Sequence, residues 1–457
     1  MKKIDAIIIG SGQAGTPLVF KLAAEGKKVA FIEKEHFGGT CLNVGCTPTK
    51  TYVASARRIF ETKHASDLGV EIPDGTKLNL VKVKARKDAL IKKSVAGISK
   101  GLQSYEGVTL FNGTASFSGT KTILINGEEI VGENIYINVG GRPRIPEGFA
   151  TVDYLTNKEI LQLEKLPEHL IIVGGSYIGL EFGQMFRRFG SRVTIIEQGN
   201  KIISREDDEV SQTIKTVLES EGVEFRMNAT CLSGIQDTNG KITVSVDCTQ
   251  GPPEIVGSHL LLAVGRIPNT DTLNLEAAGV ETNGRGFIKV NDYLETNMPG
   301  IYALGDCNGE GAFTHTSYND YEIIAENLLH PKKRKISDRI TTYGLFVDPP
   351  LGRAGLTLTQ AKETGKKLKV GYRKMSNIAR ARERGETNGF MSVVIDAETD
   401  RILGATILGI GGDEIISSVL NVMYADKPYT VIRDSVQPHP TVSELIPTML
   451  EGLKVID

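Results

Sequence analysis

Two cysteines stand five positions apart in Gly38-Gly39-Thr40-Cys41-Leu42-Asn43-Val44-Gly45-Cys46-Thr47-Pro48-Thr49-Lys50, soon after a glycine-rich turn. Paired thiols can form a structural disulfide, half of a metal site or a redox pair. A bridge over so short a loop gives only about 2 kcal/mol in the chain-entropy model, little for a chain able to build large cores. Zinc sites usually bring a second pair of Cys or His ligands, and neither His36 nor His64 stands at such a spacing. Leu42 to Gly45 separate the thiols by more than one helical turn, so joining them needs a distorted turn, and strain eases reduction. A helix beginning near Pro48 and Lys50 would lower the pKa of Cys46 through its N-terminal partial charge and the ammonium. The redox pair is the favoured reading of the three.

A second reactive candidate is His439, which lies between Pro438 and Pro440 and five residues before Glu444. It reads equally as a fixed loop histidine without a role. Histidine titrates near neutrality, which makes His439 the best general acid/base candidate among the seven histidines.

The elements that must position these groups begin with Ile7-Ile8-Ile9, the turn Gly10-Ser11-Gly12-Gln13-Ala14-Gly15, and a second strand, Ala30-Phe31-Ile32-Glu33. Glycines let backbone approach a pyrophosphate at a helix N-terminus, and the terminal carboxylate accepts from a ribose hydroxyl. The pattern recurs in Leu170-Ile171-Ile172-Val173, Gly174-Gly175-Ser176-Tyr177-Ile178-Gly179 and Val193 to Glu197, with Ser176 where the middle glycine belongs. Two dinucleotide sites are expected. Helix is expected over Thr51 to Thr62 and about Val83 to Ser104, then β structure near Val108 to Ala115. The similar phrases Val139-Gly140-Gly141-Arg142-Pro143 and Val264-Gly265-Arg266-Ile267-Pro268 suggest that the chain leaves one domain and later returns to it. Ile301 to Leu304 offers a strand that ends near Asp306, placing a polar ligand after a buried run. From about Ile336 come strands at Leu345 to Val347, Met391 to Ile395 and Ile402 to Ile407, then a helix at Asp413 to Tyr424. The expected fold is α/β, with two Rossmann-like units and a C-terminal α+β domain. Its divisions are 1–145 for the first unit, 146–265 for the second, 266–335 for the return to the first, and 336–457 for the C-terminal domain.

Composition bounds the partners. With 53 Lys+Arg against 55 Asp+Glu, no overall charge favours nucleic acid or anionic membrane. The Lys-rich segments Lys82 to Lys93 and Lys332 to Lys335 read as solvated surface. The apolar run after Met1-Lys2-Lys3 leads straight into a glycine turn and reads as a buried strand rather than a signal peptide, and no stretch is long enough to span a bilayer. Five cysteines without a framework fit a reducing compartment, so a cytoplasmic location is expected, with Cys231, Cys248 and Cys307 free.

Taken together, the first fingerprint, Cys41-x4-Cys46 with Pro48 and Lys50, the second fingerprint with Glu181, Gly305-Asp306, and His439-Pro440-Thr441 with Glu444 make the chain resemble the FAD-dependent pyridine nucleotide-disulfide oxidoreductases. This is the family of dihydrolipoamide dehydrogenase, glutathione reductase and mercuric reductase. The resemblance implies FAD at the first fingerprint, NADH or NADPH at the second, and a homodimer formed by the C-terminal domain. By motif, Gly10, Gly12, Gly15, Glu33, Thr40, Lys50, Gly113 and Asp306 would contact FAD. Gly174, Gly179, Glu181, Glu197 and Gly265 would complete the cofactor contacts, with Lys50 paired to Glu181. It further implies a Cys41–Cys46 disulfide in which Cys46 is the flavin-side thiolate and Cys41 attacks substrate. His439, oriented by Glu444, would serve the partner subunit's disulfide.

Phe313 to Tyr321, Asp348 to Arg353, Ile378 to Arg382 and Pro428 to Asp434 look most like the mercuric-reductase-like branch, which includes a reactive-chlorine-induced flavoprotein. Mercuric reductases carry a C-terminal cysteine pair and lack the base histidine, whereas this chain has no cysteine after Cys307 and keeps His439. The implied acceptor is a small disulfide or a thiol-bound Cu(II)- or Hg(II)-type ion, with no resident metal. The alternatives are dihydrolipoamide dehydrogenase, a plain NADH oxidase or diaphorase, and a non-catalytic redox or metal sensor. Glu197 favours NADH, since a carboxylate repels a 2′-phosphate, while Arg187, Arg188 and Arg192 leave NADPH open.

Overall fold

The computed structural model describes residues 3–456 except 74, 248–250 and 331–333, so Cys248, Lys332 and Lys333 lie outside the described residues. The chain opens with β1 (Lys3–Ile9), α1 (Gly15–Ala24), β2 (Val29–Glu33), α2 (Gly39–Asn43), α3 (Cys46–Lys63) and α4 (Leu80–Gln103). It continues through β3 (Val108–Asn112), β4 (Ala115–Gly119), β5 (Thr122–Ile125) and β6 (Glu128–Ile137). β1 lies between β2 and β6 in parallel, and its Ile7 and Ile8 are fully buried. A strand apolar on both faces is what a helix-covered parallel sheet requires, and each such side chain contributes about 1.5–3 kcal/mol by leaving water.

Next come β7 (Gly141–Pro143), β8 (Tyr154–Leu155), β9 (His169–Val173), α5 (Tyr177–Phe189), β10 (Arg192–Ile196), α6 (Asp208–Ser220) and β11 (Val223–Arg226). β12 (Thr230–Gln236), β13 (Ile242–Asp247) and β14 (Glu254–Gly257) form a separate antiparallel sheet, before β15 (His259–Leu262) and β16 (Arg266–Pro268). The second parallel sheet has the order β11-β10-β9-β15-β8. The two similar exit phrases meet directly, since β16 pairs antiparallel with β7. After α7 (Leu275–Ala278), β17 (Ile301–Ala303) joins the first sheet beside β6, so the chain does return.

α8 (Thr314–Leu329) leads to a six-stranded sheet ordered β18-β19-β22-β21-β20-β23. Its strands are β18 (Thr342–Leu345), β19 (Leu351–Gly355), β20 (Leu368–Lys374), β21 (Phe390–Asp396), β22 (Ile402–Leu408) and β23 (Lys454–Ile456). The short α9 (Leu358–Glu363) and α10 (Ala379–Glu383), the longer α11 (Gly412–Tyr424), and then α12 (Thr430–Arg433) and α13 (Leu445–Glu451) complete this α+β unit. Two expectations need correction. α3 begins at Cys46 rather than Thr51, and Phe346 and Val347 lie beyond the strand expected to contain them.

Candidate functional site

Cys41 lies within α2 and Cys46 is the first residue of α3, so the thiols face each other across a helix break. Gly45 makes that break. Its backbone adopts φ −126° and ψ −116°, and a Cβ there would sit 2.8 Å from the Thr40 carbonyl oxygen. The Asn157 amide braces the turn by donating to the Val44 carbonyl at 2.6 Å. Both cysteines are free thiols, joined by a side-chain hydrogen bond. That bond, more than the Thr314 hydroxyl 3.1 Å away or the Lys50 charge, lowers the Cys46 pKa to about 6 against the opposing effect of burial. The same bond and burial push Cys41 far above the ordinary thiol range. The opposite shifts favour a Cys46 thiolate that accepts a hydrogen bond from a protonated Cys41.

Lys50, one turn into α3, donates to Glu181 Oε2 at 2.6 Å and lies 4.6 Å over the Phe346 ring. The second carboxylate oxygen of Glu181 accepts from the Phe346 amide at 3.0 Å. The expected Lys50–Glu181 pair therefore forms, and Thr314 and Phe346 join it without a sequence signal that named them.

The first fingerprint is a cradle with no room for side chains. A Cβ on Gly10 would lie 2.3 Å from the Asn138 carbonyl oxygen, and one on Gly15 would lie 2.2 Å from the Gly10 oxygen. Glu33 accepts from the Ser11 amide at 2.9 Å, the Ser11 hydroxyl at 2.6 Å and the Glu35 amide at 2.8 Å. The Ser11 hydroxyl also receives the Gly38 amide at 3.1 Å, which ties the cysteine loop to the fingerprint. Gly113 donates its amide to the Glu33 carbonyl at 3.0 Å. Buried Asn138 accepts from the Gly15 amide at 2.9 Å and donates to the Leu304 carbonyl at 2.8 Å, binding the turn to the segment that carries Asp306. Burial raises the Asp306 carboxyl above its usual range, and Arg266 Nε stands 3.7 Å from it. Arg266 Nε is buried without a hydrogen-bond partner, a donor open to an added acceptor. A side-chain-free cradle, an unpartnered guanidinium Nε and a ribose-type carboxylate fit a flavin dinucleotide. Asn138 escaped notice in the sequence, although it is a polar residue closing an apolar strand, the same signal that singled out Asp306.

The second fingerprint repeats this geometry. A Cβ on Gly174 would lie 2.4 Å from the Ala263 carbonyl oxygen and one on Gly179 would lie 1.9 Å from the Gly174 oxygen. Glu197 accepts from Gly175 at 2.7 Å and Gly199 at 2.8 Å. Gly265 has φ +109° and open space around its missing Cβ. The three arginines expected to keep NADPH open are engaged elsewhere. Arg188 is buried against Glu221 at 2.7 Å and Asp348 at 2.6 Å, Arg187 donates to the Glu221 carbonyl at 2.7 Å, and Arg192 meets Glu224 at 3.0 Å. They stand at the far end of α5 and the near end of β10, roughly 15 Å from the fingerprint end by helix and strand rise.

His439 Nδ1 lies 2.9 Å from Glu444 Oε2 and its ring is 78% exposed. Among the described residues no hydrogen bond or ion pair joins it to Cys41 or Cys46, so within one chain the base candidate and the dithiol are not brought together. Thr40 is exposed on α2, its carbonyl accepting from Val44 at 2.9 Å.

Two nucleotide-type cradles that flank a dithiol define a pyridine-nucleotide-linked redox flavoprotein. Residues 4–320 match the pyridine nucleotide-disulphide oxidoreductase family and residues 341–450 its dimerisation domain. The chain is 35% identical to the probable pyridine nucleotide-disulfide oxidoreductase RclA of Escherichia coli K12, over 99% of this chain and 100% of that one. It is 34% identical to a dihydrolipoyl dehydrogenase of Thermus scotoductus, over 99% and 98% of the two chains. A mercuric reductase of Staphylococcus aureus is also 34% identical, over 99% of this chain and 81% of that protein. The Cu(II) complex of the HOCl-induced flavoprotein disulfide reductase RclA superposes with a TM-score of 0.90 at 34% identity, over 99% of this chain and 100% of that one. The chain belongs to the pyridine nucleotide-disulphide oxidoreductases, a family of FAD- and pyridine-nucleotide-dependent enzymes. Among the described residues no helix is long and apolar enough to cross a membrane.

Proposed function

We propose that the protein is a homodimeric, NADH-preferring reductase whose Cys41–Cys46 couple delivers electrons to a thiol-bound metal ion of the Cu(II) type. The low pKa of Cys46 beside a protonated Cys41 carries this reading. FAD, when bound, supplies two-electron transfer between the nicotinamide and the cysteine couple. Gly10, Gly12, Gly15, Glu33, Asn138, Arg266 and Asp306 would hold it, while Gly174, Gly179 and Glu197 would hold the nicotinamide dinucleotide. Glu197 favours NADH because its carboxylate repels a 2′-phosphate, and the nearby arginines are already paired.

Cys46, the more exposed thiol of this chain, holds negative charge beside Lys50, and Cys41 would meet the acceptor. The Cu(II) complex of the relative RclA supports a metal acceptor, and the lack of any cysteine after Cys307 speaks against specialised mercury delivery. A disulfide substrate is the second reading, favoured by His439 held by Glu444, an oriented base of the kind that thiol exchange uses on the partner subunit's couple.

Anaerobic reduction with NADH is expected to raise a long-wavelength thiolate-to-flavin band, absent in Cys46→Ser. Steady-state assays with Cu(II), Hg(II), lipoamide and glutathione disulfide then rank the acceptors. A colourless protein, or normal turnover in Cys46→Ser, overturns the redox reading. Exclusive turnover of lipoamide overturns the metal acceptor.

A further inference from the structure

The C-terminal domain touches the dithiol chamber through a segment with no part in the chemistry above, Phe346-Val347-Asp348. It leaves β18 and lies across α3 and α5. The Phe346 amide holds one oxygen of Glu181 at 3.0 Å while the other oxygen meets Lys50. The Asp348 backbone pairs both ways with the Gln184 amide, donating to its Oε1 at 2.7 Å and accepting from its Nε2 at 2.8 Å. One carboxylate oxygen of Asp348 takes Arg57 of α3, and the other takes Arg188 of α5 at 2.6 Å. Against the upward push of burial, these two guanidiniums keep the Asp348 carboxyl below its usual range. Arg57 is shared with Glu61 and Glu386, and Arg188 with Glu221, so the carboxylate joins two guanidiniums within a larger ion-pair cluster.

We propose that Asp348 is a positioning residue: by joining the helix of Cys46 and Lys50 to the helix of Glu181, it sets the geometry of the Lys50–Glu181 pair beside the dithiol. The inference rests on the reading of Cys46 as the reactive thiolate. Arg57 stands eleven residues along α3 from Cys46, roughly 16 Å by helical rise, so a tie at that point controls the angle between the two helices. The second Glu181 anchor is supplied by the same segment, so a shift at Asp348 is passed to Glu181 through two residues of backbone. The groups that bear on Cys46 are Cys41 from α2, Lys50 from its own helix, Glu181 from α5, the Thr314 hydroxyl from α8 and Arg266 of β16. Lys50 favours the thiolate more than Glu181 opposes it. Loosening the pair admits water and screens a field that on balance favours the thiolate, so the thiolate becomes harder to form.

The test is the pH dependence of the long-wavelength thiolate-to-flavin band of the reduced, anaerobic holoenzyme, which reads the Cys46 thiolate. The wild-type midpoint is expected near the Cys46 value of about 6. Asp348→Asn should raise it by about half a pH unit, roughly a threefold loss of thiolate below the midpoint. Arg57→Gln, which leaves buried Arg188 paired, should move it the same way by less. In a Lys50→Met background Asp348→Asn should give no further shift, because the pair it positions is gone. An unchanged midpoint in both variants overturns the proposal, as does an equal shift with and without Lys50. Should Asp348→Asn fail to fold, the Arg57→Gln midpoint decides alone. If the band persists in Cys46→Ser, the thiolate assignment fails and the proposal falls with it.

Discussion

The two dinucleotide units share one backbone plan and differ in how they are braced. In each, the residue that closes a neighbouring parallel strand crowds the first glycine: Asn138 in the first unit and Ala263 in the second, each amide donating at 2.8 Å to the residue before that glycine. Asn138 adds a buried side chain that fastens Gly15 to Leu304, and its Oδ1 would lie 2.8 Å from a Cβ on Gly12. Ala263 has no amide to offer. The middle position of the second turn is therefore free to be Ser176, a departure explained by the missing side-chain partner across the turn. A cross-braced cradle suits a cofactor that stays, and an unbraced one suits a cofactor that exchanges.

The glycine contacts give the largest test of this contrast. Gly10→Ala and Gly174→Ala each force a methyl against a carbonyl oxygen at 2.3 and 2.4 Å and at φ +100° and +115°. Each should cost about 3 kcal/mol or more. The first should yield protein without flavin absorbance; the second should stay yellow and lose NADH binding. Flavin retained in Gly10→Ala would break the comparison.

Asn138→Ala makes the first unit resemble the second. Losing a buried amide that serves two backbone partners should lower stability by about 2 kcal/mol and speed flavin loss during dialysis. A smaller effect is expected when the carboxylates are compared. Glu197→Gln should raise the KM for NADH several-fold and narrow its advantage over NADPH, whereas Glu33→Gln should alter flavin content and leave that preference unchanged. Ser176→Gly should be smallest, with stability within about 0.5 kcal/mol and little change in NADH affinity; a large gain would show that the serine does crowd the cofactor.

Much of the site was legible along the chain because its parts are local. A turn that needs glycine, a strand ending in Glu33 or Glu197, and a thiol pair with Lys50 four residues beyond Cys46 are short-range patterns with short-range causes. The helix starts at Cys46, ahead of both Pro48 and Thr51, because Gly45 breaks the backbone between α2 and α3, which only the structure reveals. Arg187, Arg188 and Arg192 looked available as neighbours of the second fingerprint, yet helix and strand carry them to its far end.

Sequence alone determined the fold class, the repeated cradles and the close spacing of the paired cysteines, since periodicity and glycine spacing act within one element. Only the tertiary structure decided that the Asn138 side chain braces one cradle where Ala263 stands in the other, that Thr314 reaches Cys46 across 268 positions, and that Asp348 fastens α3 to α5. Those contacts depend on how separate sheets and helices pack in three dimensions, and local periodicity along the chain does not encode such distant partners.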